Sequence, residues 1–228
     1  MSQSLIFDMD GTLFQTERIL EISLEDTFEH LRTQGQWKGE TPLQTYREIM
    51  GVPLPTVWET LLPDHPPNWR KEADNYFLGK LVANIKIGKG ALYPGVQDVF
   101  EYLKQEGYSI YIASNGLTEY LQAIVDHYQL DRWVTETFSI QQIDSFDKAD
   151  LVQTVKEKYT FHHGAVIGDR RSDINAANKN HFISIGCRFD FAQEEELAEA
   201  DYVIDDFFEL KTLLPDIKHE PSSSPIHK

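Results

Sequence analysis

The chain of 228 residues has one cysteine, Cys187. A single thiol excludes an intramolecular disulfide and any multi-cysteine metal site. Cys187 follows an apolar run, which predicts a buried, inert thiol. Basic residues are scarce: 21 Lys and Arg stand against 37 Asp and Glu, a formal net charge of −16. That balance argues against a nucleic-acid polymer or an anionic membrane as partner. No segment approaches the roughly 20 apolar residues of a membrane span. The N-terminus has no basic stretch followed by an apolar signal region, so the expectation is a cytoplasmic protein that is not exported. Histidines are scattered and read as surface or structural residues. No internal repeat is present.

What remains is an ordinary globular composition, 41% hydrophobic and 25% charged. The length suits one sizeable core carrying an inserted subdomain, or two small domains. The informative segment comes first: Ser4-Leu5-Ile6-Phe7-Asp8-Met9-Asp10-Gly11-Thr12-Leu13. Its apolar run reads as a buried strand. The strand delivers Asp8 and Asp10 to a turn made by Gly11 and Thr12. Ligands in open α/β sheets gather beyond the carboxyl ends of strands. Two carboxylates roughly 4 Å apart repel by about 4 kcal/mol at an effective dielectric near 20. A bound cation removes that cost. Mg²⁺ suits the site because it takes one or two carboxylates and leaves positions for water and phosphate oxygens.

After Leu13 the pattern turns helical. Apolar residues Ile19, Leu20, Ile22, Leu24, Phe28 and Leu31 predict a helix over Thr16–Thr33. A second helix starts at Thr41-Pro42, with proline in the first turn. Gly51-Val52-Pro53-Leu54-Pro55 reads as a loop, and helices follow over residues 56–62 and 68–85. Residues 15–90 therefore read as an all-helical unit. Strand–helix alternation then resumes. Strands are expected at 109–114, 137–140, 165–167, 182–185 and 202–204. Helices are expected from about 96 to 107 and at 119–128, 148–159 and 173–180. Such alternation implies an α/β fold with a parallel sheet covered on both faces. Residues 215–228, with Pro-Ser-Ser-Ser-Pro among them, read as a disordered tail.

Three further signals fall at strand or helix ends. Ser114 leads into Asn115-Gly116, where a hydroxyl and backbone N–H groups can hold phosphate oxygens. Lys148 stands at a helix start, the less favourable end for a cation, which hints at a nearby anion. Asp169 and Asp173, in Gly168-Asp169-Arg170-Arg171-Ser172-Asp173, share a face if that segment is helical.

Together these residues resemble the four motifs of the haloacid dehalogenase superfamily, in the family's order. The resemblance covers residues 1–13 and about 91–214. It implies a Rossmannoid catalytic core (residues 1–14 and 91–214) with residues 15–90 as a C1-type helical cap. By that resemblance Asp8 is a nucleophile forming an aspartyl-phosphate and Asp10 is the general acid/base. Ser114, Asn115 and Lys148 bind the phosphoryl group. Mg²⁺ is held by Asp8, the backbone carbonyl of Asp10 and Asp169, with Asp173 in support. The implied activity is hydrolysis of a small phosphorylated metabolite, resembling phosphoglycolate phosphatases and some 5′-nucleotidases.

The acidic Asp10 argues against dehalogenation. The phosphonate-cleaving branch is disfavoured by Asp10 and by the lack of an equivalent to its cap lysine. Thr16, Glu17, Arg47, Met50 and Gly51 are the specificity candidates. Arg170 and Arg171, where many relatives have small or acidic residues, read as surface groups. Two rival readings stay open: a phosphosugar mutase of the β-phosphoglucomutase type, which shares every core motif, and a non-catalytic phosphate-binding module. The sequence leaves the oligomeric state open.

Overall fold

The structure is a computed structural model that describes residues 4–49, 54–190 and 192–219. The chain divides into two compact units. One comprises Met1–Phe14, Leu92–Leu121 and Gln129–Lys228. The other comprises Gln15–Ala91 and Gln122–Tyr128.

The first unit is built on a parallel six-stranded sheet. Its strands are β1 (Ser4–Phe7), β2 (Ser109–Ser114), β3 (Val134–Ser139), β4 (Gly164–Gly168), β5 (Ile183–Cys187) and β6 (Tyr202–Ile204). Their spatial order is β3-β2-β1-β4-β5-β6. This is the order of doubly wound nucleotide-binding sheets. The chain leaves β1 toward β2 and β3, then returns to build β4, β5 and β6 on the other side. In sheets of this order ligands bind beyond the carboxyl ends of the strands at that reversal, here between β1 and β4. Phe7 is in register with Ile112 of β2 and Ile167 of β4, so the central strands end together.

Both faces of β1 are covered, which is why its sequence is an unbroken apolar run. Successive side chains alternate faces. Ile6 joins a core of Tyr111, Phe138, Val152, Val155 and Val166. Phe7 faces the opposite layer, with ring centroids 5.0 Å from Phe100 and 5.9 Å from Phe207. Phe100 belongs to a helix over Val96–Gln105.

The second unit is helical, with α1 (Thr16–Thr33), α2 (Leu43–Glu48), α3 (Leu54–Leu61) and α4 (Pro67–Lys86). Stretch Val96–Gln105 is then α5, followed by α6 (Thr118–Tyr128), α7 (Lys148–Tyr159), α8 (Arg171–Asn180), α9 (Glu194–Leu197) and α10 (Leu210–His219). Helices α1 and α4 pack together through Ile19, Leu24, Phe28, Phe77, Leu81 and Ile85, all buried. Trp58 of α3 completes that core, 5.6 Å from Phe77 between ring centroids.

Several elements differ from the sequence reading. β3 begins at Val134, three residues earlier than expected, because Thr135 and Glu136 lie on an edge strand and are exposed and half-buried respectively. Leu54 and Pro55 start α3 instead of continuing the loop. The expected tail also begins too early. Helix α10 continues through Pro215 to His219, its first turns anchored by buried Leu210 and Leu214. Residues 220–228 lie outside the described residues. Cys187 is buried, and burial raises its thiol pKa.

Candidate active site

Asp8 is the first residue beyond β1. Its backbone N–H donates to Ile167 O of β4 at 2.8 Å, so sheet pairing positions the residue that carries the carboxylate. The chain then turns at Gly11, whose φ is +74°. A Cβ there would strike the Asp169 carboxyl group, so glycine serves both the left-handed backbone and the close approach. Thr12 Oγ1 donates to Asp169 Oδ1 at 3.2 Å.

Asp169 is the first residue beyond β4, at the same sheet end as Asp8. Asp173 stands in the first turn of α8, where its Oδ2 accepts the Arg170 backbone N–H at 3.0 Å. A Cβ at Gly168 would overlap the Asp173 carboxyl, so the strand can approach α8 this closely only as glycine. Asp8, Asp169 and Asp173 each present an oxygen within 4.8 Å of the others. They are 5%, 3% and 0% exposed.

Lys148 opens α7, with Asp147 as the N-cap. Its Nζ lies 2.5 Å from Asp8 Oδ1 and also pairs with Asp173 Oδ1. Burial alone would lower the lysine pKa, but the charges of Asp173 and Asp8 outweigh it and the net shift is upward. One buried ammonium cannot neutralise three carboxylates. Burial, reinforced by Asp8 and Asp173, pushes the Asp169 pKa up to about 8. Burial raises Asp173 to about 6, with Lys148 opposing the rise. Hard oxygen donors converging with too little positive charge fit a divalent cation. Asp8, Asp169 and Asp173 would hold it.

Asp10 is only two residues from Asp8, yet its carboxylate has a different partner. Oδ1 accepts a hydrogen bond from the Tyr120 hydroxyl at 2.5 Å. Ser114 ends β2 and is 1% exposed; its Oγ accepts the Gly116 N–H at 3.1 Å. The same turn is tied to β3 by Ser139 Oγ donating to Gly116 O at 2.7 Å. Asn115, in this turn, is exposed.

Of the specificity candidates, Thr16 and Glu17 begin α1 in the helical unit and are half-buried. Arg47 is exposed on α2 and its Nε is 2.5 Å from Glu21 Oε1. Met50 and Gly51 lie outside the described residues. Arg170 is partly exposed, as the surface reading has it, and also reaches the site: its Nε is 3.2 Å from Asp169 Oδ2, and its Nη1 is 3.6 Å from Glu196. Arg171 does conform, binding Glu195 O and Glu196 at the surface.

Sequence reasoning missed Tyr120 and gave Thr12 no role beyond a turn. An aromatic residue three positions into a helix has no distinguishing pattern. The available clue was location, since α6 begins directly after the Ser114 turn.

The sequence matches the model of the haloacid dehalogenase-like hydrolases over residues 3–181. The chain belongs to this family, and it is a hydrolase. It is 23% identical over 220 residues to a phosphoglycolate phosphatase of Pasteurella multocida, covering 91% of this chain and 96% of that protein. It is 24% identical over 199 residues to a 5′-nucleotidase of Pseudomonas aeruginosa, covering 85% and 86%. The fold matches that of a predicted phosphoglycolate phosphatase from Haemophilus somnus with a TM-score of 0.80, at 18% identity over 93% of this chain and 98% of the other. No helix among the described residues is long and apolar enough to cross a membrane.

Proposed function

We propose that this hydrolase is a cytoplasmic, Mg²⁺-dependent phosphatase of a small phosphate monoester, working through an aspartyl-phosphate on Asp8. One observation carries the reading. Two carboxylates separated by a single residue are given different environments: Asp8 is held by Lys148 among the clustered acids, whereas Asp10 is held by the Tyr120 phenol. Paired groups whose surroundings differ are how one site obtains a nucleophile and a proton donor together. The relatives' phosphatase and nucleotidase activities support the same substrate class.

Asp8 attacks phosphorus, the P–O bond to the leaving group breaks, and Asp10 protonates the departing oxygen. Asp10 then takes a proton from the water that attacks the acyl phosphate, freeing inorganic phosphate and restoring Asp8. Lys148 pairs with Asp8 and offsets the field that an acidic protein presents to an anionic substrate. Ser114 Oγ and the N–H groups of the Asn115 turn bind phosphoryl oxygens. Asp8, Asp169, Asp173 and the backbone carbonyl of Asp10 would hold Mg²⁺, which would supply charge neutralisation to the phosphoryl group. The helical unit over residues 15–90 is the cap that selects the substrate, with Thr16, Glu17, Arg47, Met50 and Gly51 as its candidates.

The test is phosphate release from a panel of phosphorylated metabolites with Mg²⁺, beside Asp8→Asn. Release by wild type and none by the variant supports the reading. Sugar-phosphate rearrangement without release would replace it with the mutase. Silence from folded wild type in both assays would leave the binding module.

A further inference from the structure

Tyr120 holds Asp10, yet it has no role of its own in the proposed reaction. It stands in the first turns of α6 and is 7% exposed. Its ring meets Phe14 edge-on, at 75° and 6.5 Å between centroids. Its hydroxyl donates to Asp10 Oδ1 at 2.5 Å. Phe14 itself closes the Gly11 turn, donating its N–H to Met9 O at 2.9 Å and accepting the Gly11 N–H at 3.0 Å. Ring and hydroxyl therefore grip the turn carrying Asp10 at two points.

The element bearing Tyr120 is itself fixed. The Thr118 N–H donates to Gln141 Oε1 at 2.9 Å, and Ser139 Oγ holds Gly116 O at 2.7 Å. The turn that presents Ser114 and the helix that presents Tyr120 are one continuous segment. Its placement sets the distance between the phosphoryl-binding serine and the proton donor.

We propose that Tyr120 is a positioning residue for Asp10, holding its carboxyl group apart from the Asp8–Asp169–Asp173 cluster and aimed at the leaving-group oxygen. This rests on the phosphatase reading above and assigns the residue that makes the acid step directional. A carboxyl drawn into the cation-binding cluster cannot also deliver a proton to an ester oxygen. Four carboxylates in one cluster would repel more strongly than three, so an uncharged donor just outside the cluster is a suitable anchor. The phenol supplies that donor without adding charge.

The proposal predicts a dependence on the leaving group. An ester whose leaving oxygen is a stable anion needs little protonation, while one with a basic leaving oxygen needs it fully. A positioned general acid contributes about 10²–10⁴-fold to such a step. Tyr120→Phe keeps the ring against Phe14 and removes the hydroxyl alone.

The experiment measures kcat/KM for a series of para-substituted phenyl phosphates with Mg²⁺, for wild type, Tyr120→Phe, Asp10→Asn and Asp8→Asn. This parameter reports the steps through loss of the phenol and excludes the later attack of water. The expected result is a steeper dependence on leaving-group basicity in Tyr120→Phe. It should approach that of Asp10→Asn, with losses of about tenfold or more for the unsubstituted phenyl ester and much smaller ones for the nitrophenyl ester. A parallel loss across the series would assign Tyr120 a structural role and overturn the proposal. An unchanged series would also overturn it. Both outcomes leave the phosphatase reading intact if Asp8→Asn is inactive on every ester. Wild type inactive on the series and on the metabolite panel would remove the phosphatase reading, and this proposal with it.

Discussion

The Lys148 ammonium and the Asp8 carboxylate meet at 2.5 Å with almost no access to solvent. Water screens little there, and the pair is joined by Asp173 on the lysine's other side. This ion triad balances one cation against two anions, with Asp169 adjoining it.

Replacing Lys148 with Met therefore strands two buried carboxylates. Removing one partner of a buried pair costs about 3–5 kcal/mol. Urea denaturation of metal-free protein at about pH 8 should show a loss of that order. At about pH 5 protonation of Asp173, whose pKa is raised to about 6, relieves part of the deficit, so the loss should be smaller. Phosphate release should fall at least about 100-fold, as for other electrostatic stabilisers of a transition state.

The carboxyls of Asp169 and Asp173 give the metal-free protein an unusual pH dependence. Their pKa values, ordinarily 3.8, rise to about 8 and about 6 in the folded chain. The folded state thus holds protons that the unfolded chain has released. Their contribution to stability is complete below about pH 4 and is lost as pH rises through about 6 and then about 8. Thermal melting in EDTA should show the advantage of wild type over Asp169→Asn shrinking across that window. Adding Mg²⁺ should reverse the trend, because a cation replaces the protons. A difference independent of pH would contradict the assigned shifts.

Gly168→Ala tests the close packing of β4 on α8. The added methyl would overlap the Asp173 carboxyl and push it from the cluster. Titration calorimetry with Mg²⁺ should show affinity reduced about 10–100-fold, the size of effect seen when support for a metal ligand is removed.

The helical unit rests on Trp58, which is 1% exposed and donates its indole N–H to Asp74 Oδ1 at 2.8 Å. Trp58→Ala should cost about 3–5 kcal/mol in urea denaturation. Trp58→Phe keeps most of the volume but leaves Asp74 without its donor. Burial already raises the Asp74 pKa, and Trp58 opposes the rise. The Phe variant should therefore cost about 1–3 kcal/mol and raise the Asp74 pKa further.

Much of the architecture was legible because its signals are local and unmixed. β1 is apolar on both faces because both are covered, and Asp8 and Asp10 interrupt that run at the sheet's carboxyl edge. Lys148 was conspicuous as a cation at the unfavourable end of a helix, and the structure supplies the two anions that justify it. The start of β3 was not legible, since the exposed Thr135 and half-buried Glu136 carry no apolar signal on an edge strand. The contact of the partly exposed Arg170 with Asp169 was not legible, because an arginine's long stem lets a residue at a helix start reach back. Tyr120 escaped because its role depends on which turn faces α6, a tertiary fact without a sequence period.

The position of β1 at the centre of the sheet also governs how the protein assembles. Both of its neighbours, β2 and β4, are made after the helical insert, and Lys148 is 140 residues from Asp8 along the chain. Such distant pairings form slowly, because loop closure precedes any gain from contact. The ion cluster comes into being only when the strands from both halves have docked. A cation bound there should therefore slow unfolding while leaving the rate of folding nearly untouched, making the site a kinetic lock on the finished fold.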